Sequence, residues 1–134
     1  MKKTINIFPT GVTEVSFFEI LAEKKLSWEA EDAIGTEKEM EIVIEGSAPK
    51  KIAIMVNNES ATVDVSCQMS VIDKIGSDLI EAEIGSSMTF DADKLSVENV
   101  TDALYTKRLK LVFTNDIEVP VDGEFDITVR VRAL

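Results

Sequence analysis

Carboxylates are the only abundant side chains here with catalytic or metal-binding chemistry: 25 Asp and Glu stand against 14 Lys and Arg, and histidine is absent. Glu39 and Glu41, Glu81 and Glu83, and Asp91 and Asp93 are i,i+2 neighbours. On a strand such neighbours share a face, where a pair could hold a cation or act as acid and base. The bland alternative is that they form the wet side of their strands. Acid–base work also needs a carboxylate of shifted pKa in a cleft. We therefore expect no catalytic role for these pairs and no enzymatic activity. The absence of histidine excludes Ser-His-Asp and Cys-His catalysis and ordinary zinc sites. Neither GxxxxGK[ST] nor GxGxxG occurs, so nucleotide binding has no support.

Calcium is the metal that best suits the remaining chemistry, because it takes about six to eight oxygen ligands, often from loops. "DADKLSVEN" supplies Asp91 and Asp93, and "TND" supplies Asn115 and Asp116. These four are the candidate ligands of a loop calcium site, although the spacing does not match an EF-hand. No other cofactor is implied. Trp28 and Tyr105 are the lone residues of their kinds that could stack on a sugar, and each type is more often found in or beside a core.

Cations are scarce and clustered. Lys107, Arg108 and Lys110 lie together, and Arg130 and Arg132 alternate with apolar residues near the end. If the strands carrying them share a sheet, their outward faces form a positive stripe on a protein of net charge -11. That stripe is the candidate contact surface, suited to the Glu-rich face of a second copy or of a neighbouring assembly subunit. The competing expectation is pairing with Asp and Glu inside the sheet, worth only about 0–1 kcal/mol per exposed pair.

The acidity repels phosphate backbones, so we expect no nucleic-acid partner. It is spread along the chain, with 7 basic and 12 acidic residues up to Cys67 and 7 and 13 after it. A length of 134 residues suits one domain spanning 1–134, and 45% apolar residues can build its core. Cys67, the single cysteine, shares a face with Val63, Val65, Met69 and Val71 and reads as a small buried hydrophobe. "MKKTINIFPTGV" opens like a signal peptide, but Thr4, Asn6, Pro9 and Thr10 interrupt the apolar run. No stretch reaches the roughly 20 apolar residues of a helical span. We expect synthesis in the cytoplasm, no membrane insertion, and chance matches at the sequons beginning at Asn58 and Asn99.

Short alternating runs separated by turn residues must position all of these groups. "KEMEIVIEG", "KKIAIMVNN", "ATVDVSCQMSV", "DLIEAEIG", "LKLVFTN" and "GEFDITVRVRAL" each alternate with period two. The pattern predicts an all-β, mainly antiparallel β-sandwich of jelly-roll-like type with at most one or two short helices. Residues 39 to 71 read as a three-stranded meander. Strands Val15–Leu21 and Leu26–Ala30, joined by Glu23-Lys24-Lys25, are favoured over a helix. "KLSVENVTDALY" reads as a short helix capped by Ser96. The architecture is broadly similar to that of sandwich subunits in virion, tail and surface assemblies, without a shared motif. The expected function is that of a structural or interaction module that associates with itself; the alternative is a calcium-assisted module for a small ligand or carbohydrate.

Overall fold

The computed structural model describes residues 2–6, 14–18, 20–46, 51–100 and 106–134. All regular structure among them is strand: β1 (Lys2–Asn6), β2 (Glu14–Phe18), β3 (Ile20–Trp28), β4 (Glu37–Val43), β5 (Ile52–Asn58), β6 (Val65–Ile75), β7 (Asp78–Phe90), β8 (Lys94–Val100), β9 (Arg108–Asn115) and β10 (Phe125–Ala133). β1 and β2 pair with each other as an antiparallel ribbon. The other eight form two four-stranded antiparallel sheets, ordered β3-β10-β5-β8 and β4-β9-β6-β7.

From β3 to β10 the chain changes sheet at every step except one, the β6–β7 hairpin. The pairs β3:β10, β4:β9, β5:β8 and β6:β7 are therefore nested, like one long hairpin rolled into two layers. This is jelly-roll topology. Burial follows the alternation of the strands. Leu26, Trp28, Ile52, Ile54, Val56, Phe125, Ile127, Val129 and Val131 from one sheet face Met40, Ile42, Val65, Cys67, Met69, Leu109, Leu111 and Phe113 from the other. The Trp28 and Phe125 rings stack across the β3:β10 pair, 5.1 Å between centroids and 6° from parallel. Such a pair adds about 0.5–1.5 kcal/mol beyond its area.

β10, the strand that ends the sequence, lies between β3 and β5 and has partners on both edges. Its four alternating apolar residues are buried because they fill the middle of one sheet.

Three expectations are corrected. Residues 39–71 are not a meander, because β5 lies in the sheet opposite β4 and β6. β4 and β5 therefore do not form a hairpin, and residues 47–50 of "GSAPKK" lie outside the described residues. Glu23-Lys24-Lys25 do not join two strands; they lie within β3, opposite Arg130, Val129 and Thr128 of β10. The segment read as a Ser96-capped helix is β8 as far as Val100, laddered to β5 from Asn58↔Lys94 to Ile52↔Val100. Its continuation, 101–105, lies outside the described residues, as does Tyr105.

Two local devices shape the site-bearing end. The turn Gly76-Ser77 closes the β6–β7 hairpin, with Gly76 at φ 64°, the conformation a tight two-residue hairpin turn requires. Further down, the register jumps from Cys67↔Met88 to Met69↔Ile84. The Gln68 amide fills that bulge by donating to the carbonyls of Met69 and Ile84, at 3.3 Å each.

Candidate interaction site

The cations singled out in the sequence do not form one stripe. β9 and β10 belong to opposite sheets, so Lys107, Arg108 and Lys110 lie on one side of the sandwich and Arg130 and Arg132 on the other. Within each sheet most of these cations face carboxylates. Arg108 bonds to Glu41, Lys110 reaches Glu81 at 3.2 Å and Glu39 at 3.5 Å, and Arg130 bonds to Glu23 at 3.1 Å. The hydrogen bond to Glu81, with the nearby Glu39 charge, holds the Lys110 ammonium above the ordinary lysine range. Asp126 is held below the ordinary aspartate range, first by the Ser27 hydroxyl and then by Lys25 at 3.5 Å. Arg132 is half-buried, and its Nε has no hydrogen-bond partner among the described residues.

The candidate calcium ligands share one end of the sandwich; Asp91, Asp116 and the Asn115 amide nitrogen have partners there, while the buried Asn115 Oδ1 has none among the described residues. Asp116 accepts a hydrogen bond from the Ser66 hydroxyl at 2.7 Å, and Asp91 lies 4.0 Å from the Lys94 ammonium. Asn115 is buried, and its amide donates to the carbonyls of Ala33 and Ile117. Asp93 occupies a left-handed turn position at φ 54°. No group of three or more metal-ligating side chains forms among the described residues. Trp28 is 1% exposed and stacked on Phe125, so it offers no platform to a sugar.

The sequence reading missed what lies beyond the sandwich. β6 is laddered to β9 only as far as Val71, while its pairing with β7 continues to Ile75↔Asp78. Residues 72–81 therefore extend as a two-stranded arm. Ile80 in the arm and Ala82 at its base are exposed although their run alternates like a core strand. Ile75 and Leu79 are more than 60% exposed. At the root of the arm is a depression of about 420 Å³. Among the described residues, Ile72 and Leu79 contribute apolar surface to it, and Lys74, Lys107 and Arg108 bring cations beside Asp73. Thr106 ties the root together by donating to the Ile72 carbonyl at 3.2 Å.

The opposite end is strongly acidic. Four loops meet there: 29–36, 59–64, 91–93 and 116–124. The first carries Glu29, Glu31 and Asp32, and the second Glu59 and Asp64. The third carries Asp91 and Asp93, and the last Asp116, Glu118, Asp122 and Glu124. None of the four contains Lys or Arg. The 116–124 loop also exposes Ile117 and Val121. It is held in place by backbone hydrogen bonds from Glu31 to Val119, from Val119 to Asp32 and from Gly123 to Pro120, at 3.0, 3.0 and 2.9 Å. A Cβ at Gly123 would lie 2.9 Å from the Pro120 ring, so the turn depends on glycine there.

Fold and surface together define a jelly-roll β-sandwich with a projecting arm. The chain matches no protein-family model and no curated protein sequence.

Proposed function

We propose that this protein is a non-enzymatic assembly subunit that associates with itself, of the kind that builds a particle or surface layer. The observation that carries this reading is the β6–β7 arm, which holds Ile75, Leu79 and Ile80 out in water at 63%, 62% and 44% exposure. Single exposed apolar residues are common on soluble proteins, but three on one short projecting ribbon mark a contact surface. A ribbon already laddered from Ile72↔Glu81 to Ile75↔Asp78 costs less ordering entropy on binding than an unpaired segment, which favours association. The test is light scattering across a concentration series, with the mass expected to rise above that of the 14.8 kDa monomer.

A further inference from the structure

Resting on that reading, we propose that the 116–124 loop of one copy docks into the depression at the root of the β6–β7 arm of the next. The two surfaces match in charge and in polarity. The loop offers four carboxylates and no cation around two exposed apolar side chains, Ile117 and Val121. The depression offers Lys74 and Lys107 around Ile72 and Leu79, together with the carboxylate of Asp73 and with Arg108, which is already paired to Glu41. Apolar contact at the centre with opposite charges around it is the pattern of a specific interface, the charges fixing register and speeding encounter. The loop is pre-ordered by its backbone hydrogen bonds to the 29–36 loop, so it can dock without first being fixed.

The arm turns at Gly76-Ser77, at the end of β6 remote from Val65. Val65 pairs with Asn115, beside the loop. Donor and acceptor surfaces thus sit at opposite ends of one subunit. Their contact is heterologous, running head to tail, and it generates a ring or an open filament according to the rotation between copies.

Two charge-swapped proteins test this. One carries Lys74→Glu with Lys107→Glu in the depression, and the other Glu118→Lys with Asp122→Lys in the loop. All four positions are exposed, and circular dichroism with a thermal melt verifies folding of each variant. Each variant alone should associate at least about tenfold more weakly than the unmodified protein, because like charges then face each other. An equimolar mixture should regain assembly with the two proteins in 1:1 ratio, since every contact then joins opposite charges. Variants that each assemble as well as the unmodified protein, or a mixture no more associated than its components, would overturn the docking. An unmodified protein that stays monomeric at every concentration overturns the assembly reading itself, so the two failures are distinguishable.

Discussion

At the scale of single residues, Asn58 shows how the rolled ribbon is pinned. It is 1% exposed, and its amide donates to the carbonyls of Val63, at 2.9 Å, and Phe90, at 3.3 Å. Its oxygen accepts from the Ser60 backbone, and the Ser60 hydroxyl in turn accepts from Val63. One side chain thus joins the end of β5 to the connection before β6 and to the end of β7. Asn58→Ala leaves those carbonyls without their donor and should cost about 1–3 kcal/mol, read as a fall of several degrees in the thermal midpoint. An unchanged midpoint would show that the network carries no stability. The burial of Asn58 also explains why its sequon is structural: a folded chain cannot present that amide. Cys67 gives a second expectation. Burial pushes its thiol up to about 12, so it is neither ionised nor accessible in the native state at neutral pH. A thiol reagent should modify it only as fast as the domain unfolds, and rapid stoichiometric labelling of native protein would contradict this.

At the scale of elements, alternation revealed most strands but not how they join. Met40, Ile42, Leu109, Leu111 and Phe113 are buried as their spacing implies. Sheet assignment depends on long-range pairing that no local pattern encodes, which is why 39–71 reads as a meander. β8 is obscured for a different reason. It is an edge strand whose polar Ser96 and Glu98 lie on the core-facing side, across from Val56 and Ile54, while Leu95 and Val97 face out at 60% and 52% exposure. Its polarity is reversed, and a charge on an edge strand, here the exposed Glu98, is a known guard against unwanted strand pairing. The β6–β7 arm is hidden in the same way, since its alternation looks like that of a core strand. Because the arm lies past the β9 ladder, replacing residues 73–80 with a two-residue Asn-Gly turn should leave the melting temperature nearly unchanged while removing self-association. A shortened protein that still assembles would assign the contact to another surface; one that no longer folds would make the arm part of the stable fold.

At the scale of the whole molecule, the fold sorts charge that the sequence distributes evenly. Neither half of the chain is distinctly more acidic, yet the four loops at one end hold 11 carboxylates, the magnitude of the net charge of -11. Among the described residues, Arg108 and Lys110 lie along one sheet, Arg130 along the other, and Lys74 and Lys107 at the arm root. Jelly-roll nesting produces this separation by bringing loops far apart in sequence to one pole. Sequence alone grouped Lys107 and Arg108 with Arg130 and Arg132, because separating them requires knowing that β9 and β10 occupy opposite sheets. A polar subunit of this kind should associate through screened electrostatics, weakening as salt shortens the Debye length from about 10 Å at 0.1 M to about 3 Å at 1 M.

The most direct test of self-association is multi-angle light scattering of the unmodified protein over a wide concentration range at low and high salt. Head-to-tail assembly predicts a mass that grows with concentration above 14.8 kDa at low salt and falls back toward it at high salt. A mass fixed at 14.8 kDa at every concentration and salt would contradict it.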